Sequence, residues 1–162
     1  MKENSIDISS IDELPVNRVF IDAIKKLGFT ELTPIQAKAI PVIMEGKDVV
    51  GQSGTGSGKT LAFGLPLLEK AQAGRGIQTL ILTPTRELCV QVADTLDSLG
   101  RLKNLRVVSI YGGVSITPQI RDLQRADVVV GTPGRILDHI DRRTMNFERI
   151  GIMILDEADK MF

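Results

Sequence analysis

The sequence predicts an open, doubly wound α/β fold, a parallel sheet with helices on both faces. Short β-branched and aliphatic runs alternate with longer stretches of helical period, the order expected of βαβ units. Two short runs, DVVV at 127–130 and IGIMIL at 150–155, are almost continuously apolar, as is typical of strands covered on both sides. Right-handed crossovers then give an open sheet, which binds ligands beyond the carboxyl ends of its strands.

Five strands and six helices are predicted in this alternation. The strands are Asp48–Gln52, Ile77–Thr83, Leu105–Ile110, Asp127–Gly131 and Ile150–Leu155. The helices are Val16–Leu27, Pro34–Met44, Lys59–Ala71, Arg86–Leu99, Thr117–Gln124 and Pro133–Arg142. Gly28 is placed to end the first helix, and Thr33 to cap the second with Pro34 in its first turn.

Composition excludes several classes of protein. The 162 residues are 43% hydrophobic and 25% charged, with 20 basic and 20 acidic residues, which is typical of a globular domain. No apolar run approaches the roughly 20 residues of a membrane span, and the N-terminus lacks the pattern of a secretory signal. The single cysteine, Cys89, forms neither an internal disulfide nor a cysteine metal cluster and suits a reducing compartment. A cytoplasmic location is expected, and the same features are compatible with the nucleus.

The balanced total charge hides a local asymmetry. Residues 1–16 carry one basic and four acidic side chains, whereas residues 101–143 carry eight basic and four acidic ones. The basic stretch suits contact with phosphates. Mixed, solvated helix faces produce the same imbalance, so both interpretations stand. The six aromatic residues are too few for modules that stack successive bases.

A glycine-rich loop follows the first predicted strand and precedes a helix. Its residues are Ser53, Gly54, Thr55, Gly56, Ser57, Gly58, Lys59 and Thr60. The glycines let backbone amides surround phosphate oxygens, the helix directs its N-terminus at the anion, and the lysine supplies a cation. The Thr60 hydroxyl is a candidate ligand for Mg²⁺. The serine at the first position departs from the strict phosphate-loop pattern, and the alternative is a flexible linker.

An acidic tetrapeptide, Asp156–Asp159, follows the last predicted strand. An Asp at the carboxyl end of a buried strand fits a ligand of Mg²⁺, so Asp156 is the candidate. Glu157 is the candidate for orienting an attacking water. Carboxylates at a helix N-terminus are the alternative explanation, which accounts for one acid better than for three. Together with the glycine-rich loop, this segment indicates hydrolysis of a nucleoside triphosphate.

The whole set of motifs resembles the first RecA-like domain of DEAD-box ATP-dependent RNA helicases, and so a P-loop NTPase fold. GFTELTPIQ at Gly28–Gln36 is similar to the Q motif, Ser53–Thr60 to motif I and Pro84–Gln91 to motif Ia. Gly112–Gly113 is similar to the GG motif, Thr132–Arg135 to motif Ib and Asp156–Asp159 to motif II. Six motifs in the family order cover nearly the whole chain. The resemblance implies ATP and Mg²⁺ as cofactors.

The resemblance assigns the adenine site to Gln36 and Phe29. The glutamine amide would bond the adenine edge and Phe29 would lie against the base. Locally, Thr33-Pro-Ile-Gln36 is also a capping box, so Gln36 has two candidate roles that are compatible with each other.

For RNA, the resemblance points to residues after three of the strands, namely Pro84, Thr85, Arg86, Gly113, Thr132, Gly134 and Arg135. Hydroxyls, backbone amides and guanidiniums suit phosphate and sugar contacts, which implies binding that is independent of base sequence. The alternative is that the two arginines are ordinary residues of helix starts, although the helix dipole does not favour a cation there.

The resemblance also implies a domain organisation. Residues 1–16 are expected to be a leader and residues 17–162 the first RecA-like domain, ending before the Ser-Ala-Thr motif of the family. A second RecA-like domain, which in the family completes the ATP site, is expected outside this chain. The isolated chain is therefore expected to hydrolyse essentially no ATP, and the apolar surface left exposed would favour self-association. Ile11, Leu32 and Ser53 stand where the family usually has other residues.

Two other functions are weighed against the helicase. One is a nucleotide- or RNA-binding module without turnover, and the other is a related superfamily 2 motor that acts on DNA. The Q motif and the literal DEAD sequence argue against the second of these. His139 is interpreted as a surface or packing residue, and Cys89 as a core residue, because no partner for metal binding or nucleophilic chemistry is placed beside either.

Overall fold

A computed structural model describes residues 8–162. The chain divides into two compact units, Met1–Glu69 and Lys70–Phe162. Seven residues of the expected leader, 1–7, lie outside the described residues. None of the helices in the described part of the chain is long and apolar enough to cross a membrane.

The first unit is built from helices. They are α1 (Arg18–Lys26), α2 (Pro34–Met44) and α3 (Lys59–Lys70), and a 3₁₀ turn at Ile11–Glu13 precedes them. All three helices were predicted, to within one or two residues at each end. Asn17 caps α1 through its side-chain oxygen, and Thr33 caps α2.

The described part of the leader is packed against this unit. Ile8, Ile11 and Leu14 are buried. The Asp12 carboxylate lies 2.6 Å from Lys25 Nζ and 2.9 Å from a guanidinium nitrogen of Arg18. These contacts, with Lys25 first, lower the pKa of Asp12. Residues 8–16 therefore belong to the folded unit.

The predicted strand at Asp48–Gln52 is wrong. The structure has no strand in this segment, and the Val50 side chain is fully exposed at 101%. A strand needs a neighbour to accept and donate its backbone hydrogen bonds, and the described residues of the first unit form helices and loops. The apolar run DVV therefore indicated a strand from residue type alone.

The second unit is a parallel sheet with helices. Its strands are β1 (Thr79–Leu82), β2 (Val107–Ile110), β3 (Val128–Gly131) and β4 (Ile152–Leu155). Its helices are α4 (Arg86–Gly100), α5 (Ile116–Leu123) and α6 (Pro133–Asp141). Each of these seven elements lies within, or within one residue of, its predicted range. Two 3₁₀ turns, Arg101–Lys103 and Ala158–Lys160, complete the unit.

The strand order is β2-β3-β1-β4, and every neighbouring pair is parallel. Leu80 and Val129 pair in register and pack with Leu123 of α5 and Ile136 of α6. Residues on the opposite face of the two central strands, such as Ile81, are also fully buried. Both faces of the central strands are thus covered, which confirms the predicted open α/β fold.

Strand β4 departs from the prediction of a fully covered strand. It is an edge strand among the described residues, since it pairs with β1 alone. Met153 is 60% exposed, and Leu155 is exposed as well. Continuous apolar sequence therefore predicted the strand correctly but not its burial.

Gly131 at the end of β3 gives a test of this packing. A methyl group at Gly131 would lie 2.5 Å from Ile136 Cδ1 and 3.2 Å from the Ile110 carbonyl oxygen. We expect Gly131→Ala to lower the free energy of unfolding by about 1–3 kcal/mol, as overpacking does. Gly151→Ala is the matched control, because nothing lies within 4 Å of a methyl group there. Urea unfolding of both variants measures the difference, and equal stabilities would contradict the packing described.

Candidate functional site

The glycine-rich loop of the first unit has the conformation that its glycines allow. Gly56 and Gly58 have φ of 76° and 87°, a region that other residues rarely adopt. Nothing lies within 4 Å of the place where a side chain would stand on Gly54 or Gly56. The backbone of this segment can therefore approach a ligand closely.

Lys59 and Thr60 begin helix α3 directly after the loop. Lys59 Nζ donates to the Ser53 carbonyl oxygen at 2.7 Å and to that of Gly54 at 3.4 Å. Ser53 Oγ and Ser57 Oγ lie 2.7 Å apart. The Lys59 ammonium thus bonds the start of the loop to the helix that follows it. Its positive charge lies at the N-terminus of α3, the positive end of the helix dipole. Cation, backbone amides and helix N-terminus together make an anion-binding arrangement.

Gln36 joins this loop to helix α2. Its Oε1 accepts from the Thr33 backbone N–H at 3.0 Å, and its backbone N–H bonds Thr33 Oγ1, which completes the predicted capping box. Its Nε2 donates to the Gly58 carbonyl oxygen at 3.1 Å, a contact that the sequence did not indicate. A methyl group on Gly58 would lie 2.5 Å from this nitrogen. The capping role of Gln36 is confirmed, and its contact with adenine stays a prediction.

Phe29 follows α1 in the same unit and is exposed. Its backbone N–H bonds the Ile24 carbonyl oxygen at 3.1 Å, which fixes the chain directly after α1 and Gly28. An exposed, anchored aromatic ring is free to lie against a planar base.

The acidic segment of the second unit follows β4. The Asp156 backbone N–H bonds the Leu82 carbonyl oxygen at 2.9 Å, and Asp156 is buried. Glu157 has φ of 51°, a left-handed conformation that is rare for a residue with a side chain. Its carboxylate bonds Lys160 Nζ at 2.8 Å, and this bond raises the pKa of the lysine. A buried aspartate at the end of a strand agrees with the predicted geometry.

The donor set for a metal is small. Among residues 8–162, no group of three or more His, Cys, Asp or Glu side chains could hold a metal ion by itself. Mg²⁺ keeps most of its waters and is usually held by one or two protein oxygens together with phosphate oxygens. A single protein oxygen, from the Thr60 hydroxyl or from the Asp156 carboxylate, is enough for a Mg²⁺ ion that is also bound by water and phosphate. It is not enough for a metal ion bound by protein side chains alone.

The predicted RNA residues lie at the carboxyl edge of the sheet, in loops and in the first turns of α4 and α6. Thr85 caps α4 by accepting from the Leu88 backbone N–H at 3.2 Å. The Arg86 guanidinium lies over the Tyr111 ring, 4.9 Å from its centroid. A methyl group on Gly113 would stand 3.7 Å from Arg86 Nη1, so the loops after β1 and β2 are close neighbours.

The loop after β3 carries the other predicted RNA residues. The Thr132 side chain makes no capping hydrogen bond at the start of α6, although Thr132 is the N-cap residue. Nothing lies within 4 Å of a side chain placed on Gly134, which leaves the backbone there open to a ligand. Pro84 lies two residues beyond the end of β1.

Arg135 points into the unit and not into solvent. Its Nη1 donates to Gln119 Oε1 at 3.2 Å, and its Nη2 donates to the Val114 carbonyl oxygen at 3.0 Å. Its side chain is only 13% exposed and lies 3.8 Å from the Asp138 carboxylate. This arginine holds the loop after β2, and its direct contact with RNA stays a prediction.

His139 is fully buried, so the packing interpretation is confirmed and the surface one is wrong. Its Nδ1 lies 2.7 Å from Thr144 Oγ1, and its Nε2 lies 3.2 Å from Gln119 Oε1. Burial, and then the charge of Arg135, lower the pKa of His139, against an opposing contribution from Asp138. Burial also raises the pKa of Cys89, whose thiol bonds the Val130 carbonyl oxygen at 3.2 Å. Cys89 is therefore a core residue, as predicted.

Fold and loops define a nucleotide-binding α/β protein of the phosphate-loop class. The family model for the DEAD/DEAH box helicase matches residues 33–162. The chain belongs to this family, which confirms the resemblance drawn from its motifs.

Relatives from bacteria and archaea agree with this assignment. The chain is 47% identical, over 95% of its length, to the DEAD-box ATP-dependent RNA helicase CshA of Geobacillus kaustophilus. It is 48% identical, over 96% of its length, to a probable ATP-dependent RNA helicase of Methanocaldococcus jannaschii. It spans 33% of the first relative and 43% of the second.

Solved structures show the same fold. A DEAD box protein from the hyperthermophile Methanococcus jannaschii matches with a TM-score of 0.93 and 48% identity, covering 96% of this chain and 43% of that one. A hypothetical ATP-dependent RNA helicase from Sulfolobus tokodaii matches with a TM-score of 0.83 and 41% identity, covering 91% and 43%. The second unit therefore has the sheet of a RecA-like domain.

The single histidine of the chain allows a clean test of its buried environment. The folded protein binds a proton at His139 less readily than the unfolded chain does, because the pKa is lowered from 6.5. Stability is therefore full above this unfolded value and falls as pH drops through it toward the folded value. We expect the free energy of unfolding to decrease from about pH 7.5 to about pH 5.5, and His139→Gln to remove this decrease. Urea unfolding at several pH values measures it, and an unchanged slope in the variant would contradict the burial.

Proposed function

We propose that this chain is the ATP-binding and RNA-binding domain of an ATP-dependent RNA helicase. The single observation that supports this most directly is the glycine-rich loop, with the Lys59 ammonium and the N-terminus of α3 directly beside it. Relatives named as ATP-dependent RNA helicases, at 47% and 48% identity, supply the class of reaction. In the complete protein, ATP binding and hydrolysis are coupled to RNA binding and to unwinding or remodelling.

In this proposal the first unit binds the nucleotide. Backbone amides of residues 53–58 and the Lys59 ammonium hold the phosphates, and Phe29 and Gln36 hold the base. The Thr60 hydroxyl is offered to Mg²⁺, which neutralises charge on the phosphates when bound.

The acidic segment of the second unit supplies the groups for hydrolysis. Asp156 offers a carboxylate oxygen to Mg²⁺, and Glu157 orients the attacking water and accepts its proton. A second RecA-like domain of the same protein is proposed to supply the arginines that offset charge in the transition state.

RNA binding is assigned to the loops after β1, β2 and β3. They present hydroxyls, open backbone at Gly134, and the Arg86 guanidinium beside Gly113. These groups read phosphate and sugar and not base edges, so binding is proposed to be independent of sequence.

Lys59→Ala tests the nucleotide site. We expect the variant to lose ATP hydrolysis in the helicase with both RecA-like domains while it keeps its fold. The loss corresponds to about 3–4 kcal/mol of transition-state stabilisation, by analogy with other preorganised groups. Lys70→Ala, at the exposed far end of the same helix, is the matched control. Steady-state ATPase assays with and without single-stranded RNA measure the turnover of both variants. Turnover of Lys59→Ala near the parent rate would contradict the assignment of this loop as the nucleotide site.

Gln36→Ala separates the two roles of this glutamine. Adenine contact predicts weaker ATP binding and a reduced preference for ATP over GTP. The capping role alone predicts only a loss of stability, typically about 0.5–2 kcal/mol. Thr33→Ala is the control, since it removes the cap partner and keeps the amide. Nucleotide competition and urea unfolding on all three proteins decide it: an unchanged preference for ATP in Gln36→Ala rejects adenine contact.

A further inference from the structure

Five residues of the second unit form a polar network beneath the three RNA loops. They are Tyr111, Gln119, Arg135, His139 and Thr144, and we call them the Gln119 network. Gln119 and His139 are buried, at 6% and 0% exposure. None of the motifs that point to ATP or RNA includes Gln119, His139 or Thr144. Their connection joins two stretches of the chain, residues 111–119 and residues 135–144.

The orientation of the Gln119 amide is determined by its partners. Oε1 accepts from Arg135 Nη1 and faces His139 Nε2, each at 3.2 Å, and Nε2 donates to the Tyr111 carbonyl oxygen at 2.9 Å. Because a carboxamide oxygen only accepts, His139 Nε2 must carry the proton. His139 Nδ1 is then left as the acceptor for the Thr144 hydroxyl. A reversed amide would set donor against donor at Arg135 and acceptor against acceptor at the Tyr111 carbonyl.

Gln119 contacts two of the three segments directly and the third through Tyr111. Its bond to the Tyr111 carbonyl holds the loop after β2 immediately before Gly112–Gly113. The Tyr111 ring supports the Arg86 guanidinium of the loop after β1. Arg135, in the first turn of α6 after β3, bonds both Gln119 and the Val114 carbonyl. One buried amide therefore links all three segments proposed to meet RNA.

Burying the polar amide of Gln119 costs free energy of folding, so stability alone does not account for a glutamine at this position. A buried amide needs every partner in place, whereas an apolar side chain of similar shape fills the space without them. Within the described residues no buried side-chain nitrogen or oxygen lacks a partner. Every buried polar side-chain atom of the network therefore has a partner. Beyond filling space, these hydrogen bonds fix the relative orientation of the segments that they join.

We propose that Gln119 is a positioning residue for RNA binding, and that its bonds to Arg135, the Tyr111 carbonyl and His139 together fix the spacing of the three loops. This inference rests on the proposed function, because it assumes that the loops bind RNA phosphates. Arg135 acts in it as a link between loops, in addition to any contact it makes with RNA.

Gln119→Met tests the proposal, since methionine keeps the length of the side chain and removes its hydrogen bonds. We expect binding of a fluorescein-labelled oligouridylate to weaken by about threefold to tenfold for each hydrogen bond to RNA that the displaced loops lose. The slope of log affinity against log salt should also become shallower, by about 0.7 for each RNA phosphate that the protein no longer neutralises. Gln124→Met, an exposed glutamine at the end of α5, is the matched control and should change neither quantity. Fluorescence anisotropy measures both.

If Gln119→Met fails to fold, two variants of His139 test the same proposal. His139→Gln retains an amide donor near Nε2 and should keep RNA affinity close to that of the parent. His139→Leu fills the space without a donor and should weaken binding and flatten the salt slope. A merely structural role lowers the unfolding midpoint and leaves the affinity of the folded protein unchanged, and that result overturns the proposal. If the parent chain does not bind the oligouridylate, the proposed RNA function fails instead.

Discussion

The parallel hydrogen-bond ladder is the constraint on which the second unit depends. Its register aligns Ile110, Gly131, Leu82 and Leu155 across the four strands. Every loop of this unit that carries a functional candidate therefore starts from one line at the carboxyl edge of the sheet. Side-chain chemistry from segments far apart in sequence meets there because backbone geometry brings the strand ends together, and parallel strands require the helical crossovers that separate them.

Much of this arrangement could be predicted because its signals are local. Helix α2 begins where Thr33 and Pro34 predict, since capping and a fixed proline φ act within one turn. The strands β1 to β4 were found from their apolar runs, and the candidate loops from their place after those runs. The strand expected at Asp48–Gln52 failed because residue type indicates a capacity for pairing, whereas a strand forms only where a neighbour supplies the other half of the ladder.

The Gln119 network could not be predicted, because the bonds of Gln119 and Arg135 join residues 8 to 21 positions apart through the fold. A signal was nevertheless present. Gln119 lies at helical spacing from the apolar residues Ile116 and Leu123, and His139 lies three residues after Ile136. A polar side chain on the buried stripe of a helix needs a partner, so such positions indicate a network even when its members are unknown.

Two glutamines perform comparable tasks in the two units. Gln36 bonds the Thr33 N–H with its oxygen and the Gly58 carbonyl with its nitrogen, and Gln119 likewise uses both ends of its amide. A carboxamide can donate and accept at once without a charge, so it ties a loop to a helix where an ion would be costly to bury. One glutamine side chain therefore affects both the local stability and the geometry of a loop. A substitution there changes both properties unless the new side chain keeps a hydrogen-bond donor and a hydrogen-bond acceptor.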